Sequence, residues 1–136
     1  MKMSQHKVWG AILLVTLLLA GGVEVASAAN WVFLGERVVA DRVDHDVIAV
    51  TGARGSFSAL KLVVRRRPVH FLDMKVHFAN GSVQDVSLRT VIPAGGESRV
   101  IDLSGEDRTI TRVEFWYEAN SIGVGKTALV RLFGRR

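Results

Sequence analysis

The stretch VHFLDMKVHFANGSVQDVSL, residues 69–88, decides the fold. In its first half apolar and polar side chains alternate, which is typical of a β-strand with one buried face. This alternation predicts a strand over 69–79 whose inward side chains are Leu72, Met74, Val76 and Phe78. Asn80-Gly81 separates it from a second alternating run over 82–88. Because both residues of this dipeptide tolerate positive φ, the stretch predicts an antiparallel hairpin with a two-residue turn.

The same period of two recurs along the rest of the chain. Further strands are predicted over 31–39, 46–50, 57–65, 99–103, 109–119 and 126–133. No segment after residue 30 has the helical period, and no connection is long enough for the helix crossover that parallel strands need. About eight short strands at even spacing predict an all-β fold, an antiparallel β-sandwich of jelly-roll-like type. Its predicted core includes Leu62, Val76, Phe78, Phe115 and Val130.

Several stretches resemble a family of small exported bacterial proteins of unknown function. They are DHDVIAV (44–50), FSALKLVVR (57–65), FLDMKVHFANGSVQDVSLR (71–89), IPAGGESRVIDLSG (92–105), TITRVEFWYEA (109–119) and TALVRLFG (127–134). The resemblance implies a secreted β-sandwich. It implies no activity, cofactor or catalytic residue.

The N-terminus has the pattern of a secretory signal peptide over residues 1–28. Two lysines precede a 13-residue apolar stretch, Val8–Ala20, and Ala26-Ser27-Ala28 follows as a cleavage motif. The alternative, a membrane anchor, is disfavoured because a span needs about 20 apolar residues. We therefore expect export to the periplasm or beyond the cell, with cleavage after Ala28 or Ala29 and membrane contact only through an uncleaved signal. Residues 29–136 are then expected to form a single β-sandwich domain, and its oligomeric state is left open.

Composition narrows the chemistry. The 136 residues contain no cysteine, which excludes disulfides, thiolate metal sites and a cysteine nucleophile. The 18 Lys and Arg exceed the 13 Asp and Glu, so the chain is basic with a formal charge of +5. Removal of residues 1–28 takes away two lysines and one glutamate and leaves +4.

Two motifs resemble cofactor-binding sites, but the spacing of their residues does not fit such a site. Gly123–Thr127 ends like a phosphate-binding loop, but Asn120 stands where that motif needs glycine, and a strand pattern follows instead of a helix. No nucleotide is expected. His70 and His77 lie seven residues apart, so a regular strand places them on opposite faces, where they cannot share a metal ion.

The acidic cluster Asp41, Asp44, His45 and Asp46 lacks the glycine and the late glutamate of a calcium loop. Neither a metal nor another cofactor is predicted.

The candidate ligand-binding residues are Arg65, Arg66, Arg67 and Trp116. The arginine run suits an anionic polymer of the cell envelope. Trp116, between Glu114 and Glu118 on a strand face, suits a sugar ring; if a loop covers that face, Trp116 belongs to the core instead. The alternative for the run is a solvated turn that protects a strand edge. Because no aromatic residue interleaves with the arginines, the pattern argues against single-stranded nucleic acid.

Catalytic signals are absent from the sequence. No serine stands in a G-x-S-x-G elbow, and no catalytic residue is predicted. We therefore expect a non-enzymatic exported module that binds an anionic or glycan ligand. A small cell-envelope hydrolase with an unrecognised site is the alternative.

Overall fold

The computed structural model describes residues 30–136, so the predicted signal peptide lies outside the described residues. The described part of the chain forms ten strands and two short 3₁₀ turns, Gly52–Arg54 and Ala119–Ile122. The strands are β1 (Trp31–Ala40), β2 (His45–Ala49), β3 (Ser56–Phe57), β4 (Ala59–Arg65), β5 (Val69–Phe78), β6 (Val83–Val86), β7 (Thr90–Ile92), β8 (Ile101–Asp102), β9 (Arg108–Tyr117) and β10 (Thr127–Arg135). No helix within residues 30–136 is long and apolar enough to cross a membrane.

The strands form two antiparallel sheets, and the predicted β-sandwich is confirmed. The first sheet has the order β1-β10-β4-β8, and the second has the order β2-β9-β5-β6. The short strand β3 also pairs with β9, and β7 pairs with β5 beside β6. Counting β3 with β4 and β6 with β7 gives eight strands that pass between the two sheets as in a jelly roll.

The inner faces of both sheets form one hydrophobic core. All five predicted core residues belong to it: Leu62, Val76, Phe78, Phe115 and Val130. Phe115 packs edge-to-face on Phe71, with ring centroids 5.8 Å apart. The period-two pattern therefore predicted these inward faces correctly.

The predicted hairpin at Asn80-Gly81 is confirmed, but the predicted two-residue turn is wrong: the loop has three residues, 79–81, and of the dipeptide only Gly81 has positive φ. Phe78 and Ser82 are joined by a backbone hydrogen bond from Phe78 N to Ser82 O of 2.9 Å, and Gly81 has φ of +91°. The Asn80 side chain accepts a hydrogen bond from Ser82 N at 3.0 Å. This side-chain contact fixes the turn locally, which is why the dipeptide is informative.

The prediction that Leu72 faces inward is wrong. The register between β5 and β9 shifts between Phe71 and Asp73, so Leu72 is the extra residue of a β-bulge. Phe71 is fully buried in its place. A bulge inserts one residue and thereby reverses the face of every side chain on one side of it.

The predicted strand over 57–65 is divided in the structure. Ser56 and Phe57 pair with β9 in the second sheet, whereas Ala59 onward pairs with β10 in the first. Ser58 is thus the residue at which the chain crosses between sheets. Apolar periodicity does not indicate which neighbouring strand a strand pairs with. The division of this strand between two sheets could therefore not be predicted from the sequence.

Candidate functional site

The outer face of the second sheet carries a continuous set of polar side chains. On β9, Glu114 and Trp116 point away from the core because Phe115 between them is fully buried. His45 on β2 and Asp73 on β5 flank Trp116 in register on its two sides. The predicted outward orientation of Trp116 therefore agrees with the structure.

Trp116 is half-buried rather than open. Its ring lies against the His45 imidazole, with centroids 4.7 Å apart and an interplanar angle of 34°. One face of the indole is therefore covered by a protein side chain. The use of Trp116 as a sugar platform stays a prediction, and it would depend on the opposite face of the ring.

Glu114 lies between two histidines of the same face. Its Oε2 is 2.9 Å from His45 Nε2, and its Oε1 is hydrogen-bonded to His77 Nε2. The hydrogen bond with His77, followed by that with His45, lowers the pKa of Glu114 below its ordinary value. Its neighbours keep this carboxylate ionised. It is therefore suited to holding the two histidines in place on the outer face, and not to donating a proton.

The prediction that His70 and His77 point to opposite faces is wrong. The bulge at Leu72 places both on the outer face, where His70 Nδ1 lies 3.2 Å from Glu118 Oε2 and His77 contacts Glu114. The two imidazoles thus pair with different glutamates. Among the residues that the structure describes, no group of three or more His, Asp or Glu side chains is arranged to hold a metal ion.

The side chains of the acidic cluster 41–46 do not converge on one site and instead make three separate structural contacts. Asp41 Oδ2 accepts a hydrogen bond from Gly125 N at 2.8 Å. His45 contacts Glu114, as described above. Asp46 is buried and accepts hydrogen bonds from Arg37 Nε at 2.9 Å and from Tyr117 Oη at 2.7 Å.

The three arginines of the run have different surroundings. Arg65 ends β4 and is exposed opposite Leu129 on the outer face of the first sheet. Arg66 is exposed in a left-handed conformation, with φ of +76°. Arg67 Nε donates to Ile122 O at 2.7 Å and holds the connection between β9 and β10. The structure therefore separates Arg65 from Trp116, which lies on the second sheet.

A different pair of arginines lines a cleft of about 280 Å³. It lies where the chain passes from β6 to β7, beside the connection that leads to β8. Its lining residues are Ser87, Leu88, Arg89, Thr90 and Arg99. Leu88 is buried in the core and anchors the segment between the two strands. Arg99 Nη2 donates to Ser87 O at 3.0 Å, so one guanidinium is attached to the backbone of the cleft.

Neither cleft arginine has an acidic partner within residues 30–136. The acidic residues nearest in sequence form ion pairs elsewhere: Asp85 with Lys75, and Glu97 with Lys61. The hydrogen bond between Lys75 and Asp85 also raises the pKa of Lys75. Two arginines without a carboxylate partner in the described part of the chain, Arg89 and Arg99, thus line one cavity.

Sequence reasoning missed this cleft. Arg89 and Arg99 lie ten residues apart in different connections, each alone among polar and apolar neighbours. The signal that was available, basic residues in two adjacent turns, is common on protein surfaces. Two pairings together bring the connections close: β7 pairs with β5 in the second sheet, and Ser98, next to Arg99, pairs with Leu62 in the first.

A second groove, of about 270 Å³, lies at one end of the second sheet. It is lined by Asp44, Leu72, Tyr117, Glu118, Ala119 and Asn120. Two carboxylates and an amide therefore face a single depression. The Tyr117 hydroxyl is not available there as an acid, because burial and its hydrogen bond to Asp46 raise the pKa of Tyr117 far above the ordinary value.

The glycine-rich segment ends at a strand. Lys126 is followed directly by β10, which begins at Thr127. Phosphate-binding loops use the amides at the start of a helix, so this segment has the wrong geometry for a nucleotide. The strand predicted there is confirmed.

Fold and surface together define a jelly-roll β-sandwich with a basic cleft at one sheet edge. Residues 11–134 match the family described as a domain of unknown function, DUF2541, and the chain belongs to this family. A search of curated protein sequences finds no match.

Solved structures share the sandwich at low sequence identity. One is AlgX from Pseudomonas aeruginosa, 17% identical over 77% of this chain, with a TM-score of 0.52. This chain spans 27% of that AlgX chain. Another is a point mutant of a carbohydrate binding module of family 29, 11% identical over 77% of this chain and 80% of that one, with a TM-score of 0.41. Of these two, AlgX alone exceeds a TM-score of 0.5, and at its identity it supports the fold alone.

Proposed function

We propose that this protein is a non-enzymatic binding module for an anionic polymer, and that the cleft at Arg89 and Arg99 holds one charged group of it. The observation that supports this most is that two arginines without a carboxylate partner among the described residues line one cavity, with the Arg99 guanidinium held at its wall by Ser87 O. Two cations that share a cleft repel each other, and a bound phosphate or carboxylate removes that repulsion. Each guanidinium can also donate two parallel hydrogen bonds to such an anion.

The volume of the cleft suits one unit of a polymeric ligand and not the whole polymer. Small-molecule pockets are usually about 300–1,000 Å³, and this cleft has about 280 Å³. One phosphate or one acidic sugar unit fits that volume, with the Thr90 hydroxyl as a further hydrogen-bonding group on its wall. The rest of a polymer would pass over the neighbouring surface.

The proposed setting is the cell envelope. We propose that residues 1–28 direct export and that cleavage follows Ala28 or Ala29. An exported basic protein meets glycans and polymers that carry phosphate or carboxylate groups, and its net positive charge attracts them. The ligand contacts predicted at Arg65, Arg66, Arg67 and Trp116 stay predictions. They are tested in the same binding titration as the cleft.

The test is a binding titration with a polymer and its neutral counterpart. We expect the protein to bind an oligogalacturonate but not the matching galactose oligomer, with an affinity that falls as salt is raised. Arg89→Gln with Arg99→Gln should weaken binding at least tenfold. The control, Arg65→Gln with Arg66→Gln, removes the same charge elsewhere and should change binding less than twofold.

The outcomes separate the sites. Equal losses in the two double variants would show that binding follows net charge and would overturn the cleft assignment. A loss in the control alone would assign the ligand to the arginine run. A Trp116→Ala change that removes binding of the neutral oligomer would assign a glycan site to the outer face of the second sheet.

The groove at Asp44 and Glu118 supports the alternative function of an envelope hydrolase. Glycoside hydrolases use two carboxyl groups that flank the scissile bond, and two carboxylates line this groove. The hydrolase predicts new reducing ends when an envelope glycan is incubated with the protein, and no release with Glu118→Gln. An unchanged glycan would remove this candidate.

A further inference from the structure

Three connections meet at one end of the sandwich, here called the basic end: residues 41–44, 66–68 and 122–126. Asp41 Oδ2 accepts a hydrogen bond from Gly125 N at 2.8 Å, which joins the first connection to the third. Arg67 Nε donates to Ile122 O at 2.7 Å, which joins the second to the third. The basic end is therefore a linked structure and not three separate loops.

At its tip, Val124 is 93% exposed. It lies between Gly123, with φ of +104°, and Gly125, with φ of +69°, both in the region that favours glycine. The turn is closed by a hydrogen bond from Lys126 N to Gly123 O at 2.9 Å. Ile122, fully buried, anchors the segment in the core. The fold thus holds an apolar side chain out in water on a fixed turn.

Cationic side chains surround this tip. A side chain at Gly123 would meet both the Arg67 guanidinium and the Lys126 stem at 3.3 Å, so both lie against the turn. Arg42 and Arg66 are exposed in the two adjoining connections. The same end holds two carboxylates: Asp41 accepts a hydrogen bond from Gly125 N, and Asp44 is exposed, so the four cations leave a net charge of +2.

A second exposed apolar residue lies at the same end. Val43, 49% exposed, follows Arg42 in the connection between β1 and β2. The basic end therefore combines apolar tips with a rim of positive charge. Among the exposed large hydrophobic residues that the structure describes, Val124 is the most exposed.

We propose that the basic end docks on an anionic lipid bilayer, with Val124 entering the interface and Arg42, Arg66 and Lys126 contacting the headgroups. Apolar side chains inserted at the boundary, with cations at the headgroup level, are the pattern of peripheral membrane binding. A soluble polyanion would use the same cations but would gain nothing from Val124. This surface is separate from the Arg89 and Arg99 cleft, so the inference does not rest on the proposed function.

The test is co-sedimentation of the native, untagged protein with vesicles. One set contains phosphatidylcholine with about 30% phosphatidylglycerol, a fraction that gives a clearly negative surface, and the other is pure phosphatidylcholine. We expect at least about tenfold stronger binding to the anionic vesicles, decreasing with salt. Because Lys2 and Lys7 precede the apolar segment 8–20, the N-terminus also favours anionic vesicles, so the contribution of the basic end is measured by the variants below.

Three variants locate the contact. Val124→Asn should lower anionic-vesicle binding about fivefold without changing its salt dependence, because it removes only apolar burial. Arg66→Gln with Lys126→Gln should lower it about 25-fold, since each cation near an anionic surface contributes about fivefold. Arg54→Gln with Arg112→Gln removes the same charge from two exposed positions outside the basic end and should leave vesicle binding within about twofold. Melting curves check that each variant is folded.

Equal binding to the two vesicle types would overturn the proposal. So would a Val124→Asn variant that binds anionic vesicles as well as the wild type does, because the surface would then be a general polyanion site. A loss in Arg54→Gln with Arg112→Gln as large as that in Arg66→Gln with Lys126→Gln would also overturn it, since binding would then follow net charge.

Discussion

Single residues show how this fold keeps a charge in its interior. Asp46 is only 9% exposed, yet both oxygens of its carboxylate have donors. Arg37 Nε supplies one at 2.9 Å, and the Tyr117 hydroxyl supplies the other at 2.7 Å. Within residues 30–136 no buried side-chain nitrogen or oxygen lacks a partner. A buried carboxylate is tolerable only under such conditions.

Tyr117→Phe should therefore destabilise the protein. The change removes the hydroxyl that donates to Asp46 and leaves a buried oxygen unsatisfied, at a cost of about 1–3 kcal/mol. Chemical denaturation of the wild type, Tyr117→Phe, Asp46→Asn and the double variant measures the coupling. A loss below about 0.5 kcal/mol in Tyr117→Phe would contradict the inferred role of this hydrogen bond.

Glu114 gives a pH-dependent contribution to stability. Hydrogen bonds from His77 and His45 lower its pKa below the ordinary value of 4.5. Since the pKa of the folded state lies below that of the unfolded state, the contribution is complete above the unfolded pKa. It is lost as the pH falls through the folded pKa.

Glu114→Gln should thus cost about 1 kcal/mol at pH 7, and the difference from the wild type should shrink as the pH falls below 4.5. Denaturation of both proteins between pH 7 and pH 3 measures this difference. A gap that is constant over the range, or that widens in acid, would show that the histidine contacts do not stabilise the carboxylate.

At the scale of elements, the period of two predicted most of the fold. The β5–β6 hairpin, the inward faces of β4, β9 and β10 and the all-β class followed from side-chain alternation and one turn dipeptide. The bulge at Leu72 could not be predicted, because a bulge is fixed by the partner strand and not by the strand that carries it. The same limit hid the Arg89 and Arg99 cleft, which depends on strand pairing in both sheets.

The core face of β9 is tested by Phe115→Ala. Phe115 is fully buried between Phe71 and Tyr117, so truncation should cost about 3–5 kcal/mol through lost burial and the cavity left behind. Arg112→Ala, on the exposed face of the same strand, is the control and should change stability by less than about 0.5 kcal/mol. Similar effects of both changes in urea denaturation would show that the face assignment is wrong.

For the whole molecule, the jelly roll separates three surfaces of different character. The outer face of the second sheet pairs its own histidines and glutamates, the basic end carries exposed valines among cations, and the sheet edge holds the arginine cleft. Because these surfaces lie apart, changes at one of them should leave the others intact. The control variants in the two binding experiments depend on this separation.

Export is proposed from the sequence of residues 1–28 and makes a prediction about the whole chain. Protein recovered from the periplasm or culture medium should begin at Ala29 or Asn30, because the apolar stretch is followed by small residues that suit signal peptidase. Intact mass spectrometry measures this directly. Exported protein that retains Met1 would contradict the proposal.

Anion binding by the arginine cleft is tested most directly by NMR of the arginine side chains. Inorganic phosphate is titrated into labelled protein while the Nε–Hε resonances of Arg89, Arg99, Arg65 and Arg66 are followed. We expect saturable shifts at Arg89 and Arg99, with Arg65 and Arg66 nearly unchanged, and loss of the Arg89 shift in Arg99→Gln. Shifts of equal size at all four arginines, or none at Arg89 and Arg99, would contradict the assignment of the cleft as an anion site.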